Sequence, residues 1–579
     1  MNAAPDFATI NSEIYETEDS PYMVKLNERP FYLSKPQEDW VRQSLEKLSV
    51  RQKIGQLFCV MGGDYPLGVL AEMIETQGVG SVLYRPAPAA EIRAEYAVLD
   101  QKAPVPLLKA ANLEEGGAGA ILDGTLFGWP MTVGATNNPD MVEKFARVCA
   151  AEGRSIGVNW TFSPVSDLSW NYLNPITNVR AYSDEFEKVR DFTAIFARTV
   201  QSMGVAACAK HFPGDGVDFR DQHLHPTYNS LDADTWDRTY GAVYQNLIEN
   251  DLLSIMVGHI IQPAVAMREN PSLQFEDLLP ASQSREMMTG VLRERFGFNG
   301  VITTDATIMA GYTETMARRE ALPATIMAGA DMIVFNTDFQ EDYRCMEQAL
   351  EDGRLTMERL EEAVTRVLAL KAKLYVTPEG RLEPAGLPFE NALPKAEAEK
   401  WQKECADQAI TLVKDKHHFL PFTAERYPKI RLITLGEDAI SDGSMKEIAM
   451  TYLKEAGFEV EDYDPFADDL HGTEALPKNR VNLWLTNYPH ASNQTTVRVS
   501  WCPKHALDSP RFIQEEKNVF LSFGNPYLLM DVPRMPVYIN AYTATRPLIE
   551  AALSKVIGRS AFKGVSPVDA FCHLPDTRL

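Results

Sequence analysis

The stretch VAACAKHF, residues 205–212, is a continuous apolar run that ends in a lysine and a histidine. A run without alternating polar residues is typical of a parallel strand that is buried on both faces. Seven more such runs occur, each followed by a helical pattern, and eight β-then-α units predict a (β/α)8 TIM barrel. The seven runs are GQLFCV (55–60), GSVLYRP (80–86), VPLLKAANL (105–113), VNWTFSPV (158–165), LLSIMVGHI (252–260), GVITTDA (300–306) and ADMIVFN (330–336).

The rest of the chain predicts a second, smaller domain. The stretch at 377–394 is rich in Pro and Gly, which is typical of a linker. Beyond it, apolar runs at 431–436, 480–487, 518–524 and 536–542 predict an α/β sandwich. The predicted parts are an N-terminal extension (1–38), the barrel (39–376) closed by a helix over 357–375, the linker (377–398) and the sandwich domain (399–579).

Composition limits the classes of partner. The chain has 579 residues and a net charge of −24, and such a surface repels nucleic acid and anionic lipid. No apolar run reaches the roughly 18–20 residues that span a bilayer. The first twenty residues hold five acids and no Lys or Arg, which is unlike a secretory signal. Seven scattered cysteines without a CxxC pair favour reduced thiols and a cytoplasmic location. No cofactor and no metal is predicted, and the oligomeric state is left open.

Polar side chains follow the predicted barrel strands. Glu114 and Glu115 come after the third strand, and the fifth, sixth and seventh strands end in Lys210-His211, His259 and Asp305. The carboxyl ends of barrel strands meet on one face, where TIM-barrel enzymes carry their active sites. We therefore expect these side chains to meet around one pocket.

Three groups of residues suggest roles in that pocket. Asp221 lies two residues before His223, and such a carboxylate can orient an imidazole that moves a proton. Asp305 is a short acid at a strand end, suited to a nucleophile, with Thr303 and Thr304 as expected hydroxyl donors to it. The alternatives are a surface turn for the pair and a helix N-cap for Asp305. Donors of different reach, which suit sugar hydroxyls, are Lys210, His211 and Arg180.

The sequence resembles glycoside hydrolase family three, most closely its β-N-acetylglucosaminidase branch. That branch has a KHFPG loop followed by an Asp-x-His pair, as in KHFPGDGVDFRDQH at residues 210–223. GVITTDATIMAG (300–311) resembles the family's strand that ends in a nucleophilic Asp, and FSPVSDLSWNYLNPITNVRAYS (162–183) is similar to the segment that supplies a sugar-binding Arg. The likeness covers roughly residues 40–570.

The resemblance implies a retaining glycoside hydrolase that releases a terminal sugar through a covalent glycosyl-Asp intermediate. It makes Asp305 the nucleophile, His223 the acid/base and Asp221 its partner, with Lys210, His211 and Arg180 holding a carbohydrate such as an N-acetylglucosaminide. Two departures occur. Asp215 stands where the branch has His, and NLEEGGAGAI (112–121) stands where it has an Asp and an Arg. Glu114 or Glu115 replaces that acid, and we assign the sugar-binding role to Glu115.

Three alternatives stay open. Phosphate could replace water as the acceptor, because a neutral histidine repels an anion less than a carboxylate does. A metal-dependent barrel hydrolase could use His223, His225, His259 and Asp305 as zinc ligands, although His223-Leu-His225 lies in a predicted loop. A barrel that binds sugar without catalysis is the third alternative.

Overall fold

The structure of the protein is a computed structural model that describes residues 24–383, 393–441, 443–467 and 477–579. Residues 1–23 of the predicted N-terminal extension and residues 384–392 of the predicted linker lie outside the described residues. In the part of the chain that the structure describes, no helix has the length and apolar character needed to cross a membrane.

The predicted barrel is confirmed. Eight parallel strands close in the order β1-β10-β9-β7-β5-β4-β3-β2, and each of the eight apolar runs supplies one of them. Their residues are almost all buried, because helices cover the outer face and side chains fill the interior. The barrel strands are β1 (Phe58–Met61), β2 (Ser81–Leu83), β3 (Leu108–Ala111), β4 (Trp160–Thr161), β5 (Ala206–Phe212), β7 (Ser254–Val257), β9 (Val301–Ala306) and β10 (Met332–Val334).

Two further short strands lie outside the barrel ring. β6 (Thr227–Tyr228) pairs in parallel with β8 (Ile260–Ile261). The pair ties the segment that follows β5 to the segment that follows β7, and both segments lie at the carboxyl end of the barrel. The loop that carries His223 is therefore anchored at its far end.

The helices of the barrel follow the strands, as predicted. The helix expected over 357–375 is α14, and the side chain of Thr356 accepts a hydrogen bond from the Arg359 amide at its N-terminus. The barrel helices are α1 (Lys35–Lys47), α2 (Val50–Gln56), α3 (Leu67–Gln77), α4 (Ala89–Asp100), α5 (Pro130–Ala135), α6 (Pro139–Ser155), α7 (Phe186–Ser202), α8 (Ala233–Trp236), α9 (Ala242–Glu249), α10 (Pro263–Glu269), α11 (Ala310–Thr313), α12 (Arg318–Ala328), α13 (Phe339–Glu351) and α14 (Met357–Tyr375).

The second domain contains a six-stranded sheet in the order β11-β18-β17-β16-β12-β15, in which only β11 runs antiparallel to its neighbour. The four predicted runs form its central strands. The two edge strands were not predicted, because β15 has the polar sequence EVED and β11 is short and only partly buried. The elements are β11 (Thr411–Asp415), β12 (Lys429–Gly436), β15 (Glu459–Asp462), β16 (Arg480–Asn487), β17 (Lys517–Ser522) and β18 (Val537–Asn540), a small hairpin of β13 (Ala439–Ile440) and β14 (Gly443–Ser444), and helices α15 (Lys395–Ala409), α16 (Met445–Glu455) and α17 (Arg546–Val556).

The second domain packs against loops at the carboxyl end of the barrel. The hydroxyls of Ser169 and Tyr527 lie 2.8 Å apart, and the Trp129 amide donates to the Thr543 hydroxyl at 3.0 Å. Asn178 donates to Asn525 at 3.1 Å. The interface therefore borders the face where the strand-end polar residues meet.

Candidate active site

Asp305 lies at the end of β9, inside the mouth of the barrel. The Ala306 amide donates to its Oδ1 at 2.7 Å, and the Nε2 atom of His211 stands 3.7 Å from its Oδ2. Burial alone would raise the pKa of Asp305, but His211, His259, His223 and Lys210 together lower it to about 2. The carboxylate is therefore ionised and faces several cationic or donor groups at once.

The expected hydrogen bonds from two neighbouring threonines to Asp305 are wrong. The Thr304 hydroxyl accepts from the Val334 amide at 3.0 Å, and the Thr303 hydroxyl faces the Met332 carbonyl at 3.4 Å. Both hydroxyls are used inside the sheet, where they contact backbone groups of the neighbouring strand β10. The carboxylate of Asp305 is thus left available for contacts within the pocket.

His211 is oriented by an acid that sequence reasoning missed. Asp167 accepts from the His211 ring at Nδ1 (2.7 Å) and from the backbone amides of His211 (3.1 Å) and Asp215 (2.8 Å). This contact leaves Nε2 of His211 facing Asp305. The available signal was an acid in the segment FSPVSDL that follows β4, at the same end of the barrel as the other site residues.

Glu114, Arg180 and Lys210 form a buried charged cluster near Asp305. Arg180 binds Glu114 in a bidentate pair at 2.8 and 3.0 Å, and Lys210 Nζ lies 2.5 Å from Glu114 Oε1. Burial opposes ionisation, but the two cations hold the pKa of Glu114 well below its usual range. Fixed donors and acceptors of this kind suit recognition of sugar hydroxyls.

Glu115, the residue selected from the sequence, lies next to this cluster. In the described parts of the chain its carboxylate makes no hydrogen bond or ion pair, and burial together with the nearby Glu114 raises its pKa to about 7. Both cations contact Glu114 instead. The assignment of Glu115 stays a prediction that a pair of variants can test.

The Asp221 and His223 pair forms a hydrogen-bonded dyad. Oδ1 of Asp221 accepts from the ring of His223 at Nδ1 (2.6 Å) and from its backbone amide (2.9 Å), while Oδ2 accepts from the backbone amide of Asn493 (2.7 Å). Asp221 is 1% exposed, and the side chain of His223 is 23% exposed. The bond at Nδ1 leaves Nε2 of His223 free to exchange a proton. Asn493 gave no signal in the sequence, because it comes from the second domain.

Hydrogen bonds of Gln222 hold the loop between β5 and His223 in place. Gln222 donates to Asp215 at 3.3 Å and accepts from the His259 amide at 2.8 Å. Burial and the neighbouring Asp167 raise the pKa of Asp215. Gly216 has a φ of +96°, and a Cβ there would lie 1.8 Å from the Leu168 carbonyl oxygen, so this turn requires glycine.

The residues of the metal alternative do not form a metal site. Both ring nitrogens of His259 are bonded, to the Ser282 hydroxyl (2.8 Å) and the Ala306 carbonyl (3.0 Å), and His225 faces Glu314 at 3.5 Å. Within the ranges that the structure describes, no group of three or more His, Cys, Asp or Glu side chains could hold a metal ion. The arrangement instead combines an ionised acid, a hydrogen-bonded Asp–His dyad and a polar cluster at the carboxyl end of the barrel.

Comparison with known proteins identifies the family of the chain. Residues 49–370 match the model of the glycosyl hydrolase family 3 N terminal domain. A beta-N-acetylglucosaminidase/beta-glucosidase of Cellulomonas fimi is 37% identical over 570 residues, which are 96% of this chain and all of that protein. A beta-hexosaminidase A of Pseudoalteromonas piscicida is 30% identical over 295 residues, about half of each chain. The solved beta-glucoside phosphorylase BglX superposes with a TM-score of 0.89 at 40% identity and covers 96% of this chain and 99% of its own.

The chain belongs to glycosyl hydrolase family 3, since the family model matches more than half of it and a relative at 37% identity covers nearly all of it. It is a glycoside hydrolase of that family and acts on carbohydrate. The resemblance inferred from the sequence is confirmed.

Proposed function

We propose that this family 3 enzyme removes a terminal β-linked sugar with retention of configuration, through a covalent glycosyl intermediate on Asp305. The observation that carries the proposal is the electrostatic environment of Asp305. Its carboxylate is held ionised inside the barrel mouth by groups that include His223, the proposed acid/base. An ionised nucleophile and a proton donor on a shared pocket are the two groups that retaining glycosidases require.

The first step breaks the glycosidic bond. A carboxylate oxygen of Asp305 attacks the anomeric carbon, while Nε2 of His223 gives its proton to the leaving oxygen. The imidazolium before transfer is stabilised by Asp221 at 2.6 Å. In the second step His223 takes a proton from water, and the hydroxide displaces Asp305 from the anomeric carbon. The sugar leaves with its original configuration.

The proposed sugar is N-acetylglucosamine or glucose in β linkage. The C. fimi relative is named for both activities, and the charged cluster supports binding of a polyhydroxylated ring. We assign Glu114, Arg180, Lys210 and His211 to contacts with sugar hydroxyls, and we keep Glu115 as the alternative acid. The buried cluster can discriminate among sugars, because a substrate that lacks a matching hydroxyl leaves buried polar groups unpaired.

A trapping experiment tests the mechanism. A 2-deoxy-2-fluoro glycoside with a good leaving group should label the protein, and mass spectrometry of peptides should find the sugar on Asp305. Label on another carboxylate, or no label while turnover continues, would contradict the assignment. A panel of nitrophenyl glycosides (N-acetyl-β-glucosaminide, β-glucoside and β-xyloside) identifies the sugar.

Phosphorolysis is a second candidate. The likeness to a beta-glucoside phosphorylase over nearly the whole chain supports it, as does the use of a histidine near the acceptor position, which repels an anion less than a carboxylate does. Phosphate oxygen would then replace water in the second step and yield a sugar 1-phosphate. Product analysis with and without phosphate separates the two: free sugar alone at saturating phosphate would exclude phosphorolysis.

Two further proposals concern the whole chain. We propose a cytoplasmic location, supported by seven cysteines that are all free in the structure. We also propose domain boundaries at 39–376 and 399–579 around a linker at 377–398. Cell fractionation tests the first proposal, and limited proteolysis with mass mapping tests the second.

A further inference from the structure

A segment of the second domain reaches the acid/base dyad in the barrel. The backbone N–H of Asn493 donates to Oδ2 of Asp221 at 2.7 Å, although the two residues are 272 positions apart. The other oxygen of the same carboxylate holds His223. Asp221 is therefore held from both sides, by its own loop and by the second domain.

The segment is fixed on the second domain at its base. Asn525 donates to the Val497 carbonyl at 2.7 Å, Asp531 accepts from the Val499 amide at 3.1 Å, and the Tyr488 hydroxyl bonds both the amide and the carbonyl of Ser500. These contacts close residues 488–500 into a loop, which we call the clamp loop. Its tip extends toward the barrel.

The clamp loop also contacts the sugar-binding side of the site. The ring of His490 packs edge-on against Trp129 of the barrel, with centroids 4.2 Å apart. Arg180 and Glu114 lie close enough to His490 to influence its charge, and burial lowers its pKa to about 3. Asn525, which anchors the loop, also accepts from Asn178, two residues before Arg180. The loop thus bridges the dyad and the charged cluster.

The contact at Asn493 is made by the backbone. The Asn493 side chain is exposed, while its φ of +65° lies in the left-handed region. Asn and Gly adopt this conformation readily and β-branched residues rarely do. The residue type at 493 therefore sets the direction of the N–H.

We propose that the clamp loop of the second domain positions the acid/base dyad, with the Asn493 amide fixing Asp221 so that His223 faces the glycosidic oxygen. This inference rests on the proposed function. Burial alone would raise the pKa of Asp221, but the hydrogen bonds from His223 and from the Asn493 amide lower it. Asn493 acts through Asp221 and is a positioning residue.

The charged surroundings of the dyad are otherwise supplied by the barrel. Asp215 on the β5 loop faces Asp221, and Asp305 and His259 face His223. Glu314 of α11 pairs with His225, two residues beyond His223. From the clamp loop, the described contact with the dyad is the uncharged Asn493 amide. A change at Asn493 should therefore alter a hydrogen bond and leave these charges in place.

Substitution at position 493 tests the proposal in the full-length enzyme. Asn493→Val should turn the N–H away from Asp221, and Asn493→Pro removes it. We expect both to lower kcat about 10-fold with little change in KM, since a hydrogen bond to a charged group is lost. Asn493→Gly, which adopts the same φ and keeps the N–H, should rescue the loss. Gln494→Val is the matched control at an exposed neighbour.

Two measurements distinguish a role of Asn493 in positioning the dyad from a general loss of structure. Without the amide, Asp221 directs more negative charge to His223, so the fall of kcat/KM at high pH should move to higher pH in the Val and Pro variants. The Nδ1–H proton resonance of His223, assigned by its loss in His223→Gln, should move in the same variants and stay in place in Asn493→Gly.

The outcomes are distinct. The proposed role of the clamp loop would be overturned if the Val and Pro variants fold and show the same kcat, pH profile and Nδ1–H resonance as the Gln494→Val control. If the Pro variant does not fold, the kinetics and the Nδ1–H resonance of the Val variant still test the proposal. If the wild-type enzyme cleaves no glycoside, the proposed function fails, while the resonance continues to test the clamp.

Discussion

Two charged clusters at opposite ends of the barrel differ in how completely their charges are paired. At the N-terminal end, Asp331 is fully buried and accepts hydrogen bonds from the Ile302 amide and from Arg293, Arg359 and Arg366 at 2.6–3.3 Å. At the carboxyl end, Asp305 accepts from the Ala306 amide, and His211 stands 3.7 Å away. The side chain of Asp331 is 0% exposed and that of Asp305 is 14% exposed. The arginines around Asp331 are within bonding distance of its carboxylate, whereas the imidazole of His211 is not within bonding distance of Asp305.

The difference predicts that the cluster around Asp331 stabilises the fold, whereas Asp305 is available for reaction. A carboxylate with all its oxygens bonded fixes strands and helices in place, and its removal leaves buried cations unpaired. A carboxylate that is ionised by nearby charges but sparsely bonded keeps its oxygens available to an incoming atom. Each of the following variants should affect the charged cluster at one end of the barrel and leave the cluster at the other end unchanged.

Asp305→Ala should have the largest effect on activity. We expect kcat to fall about 10⁴-fold or more, because the proposed nucleophile is lost, while the free energy of unfolding changes by less than about 1 kcal/mol. Steady-state kinetics and denaturant unfolding measure the two quantities. Near-normal turnover would end the proposed mechanism.

Asp331→Ala should have the opposite pattern. Three arginines lose their shared partner, and breaking a buried ion network costs about 3–5 kcal/mol of stability. The residual folded enzyme should keep its KM. Urea unfolding followed by circular dichroism tests this, and a loss below about 1 kcal/mol would show that the N-terminal cluster is not structural.

Buried histidines at the carboxyl end should make stability depend on pH. Burial lowers the pKa of His259 to about 4, whereas an unfolded histidine titrates near 6.5. Between these values the unfolded chain binds a proton that the native state does not, so stability should fall by up to about 3 kcal/mol as pH drops from 6.5 to 4. His259→Gln should make this dependence shallower, and an unchanged slope would contradict the assignment. His490 contributes in the same direction.

Of the four substitutions considered, Glu114→Gln should have the smallest effect. Arg180 and Lys210 lose a charged partner but keep a neutral acceptor, and we expect kcat/KM to fall about 10-fold, mainly through KM. Glu115→Gln is the matched variant. We expect it to lose less, and a larger loss from Glu115→Gln would return the sugar-binding role to Glu115.

Much of the site could be predicted from strand ends. Lys210, His211, His259 and Asp305 meet at the barrel mouth because parallel strands of a barrel end on the same face. Asp221 and His223 were predicted as a pair because their contact is local, within three residues. Asp167 was missed because one acid in a long loop carries no distinct pattern, and the Thr303 and Thr304 contacts were wrong because sheet hydrogen bonds compete for those hydroxyls.

The sequence by itself determined the barrel, the core of the second sheet and the local dyad, because apolar runs and short-range spacings are encoded within a few neighbouring residues. Only the tertiary structure decided that Glu114 pairs with Arg180 and Lys210, that Asp167 orients His211 and that the Asn493 amide meets Asp221. These contacts join residues that are 44 to 272 positions apart. Such pairings depend on how loops and domains pack, and short-range sequence patterns do not reveal which distant loops come together.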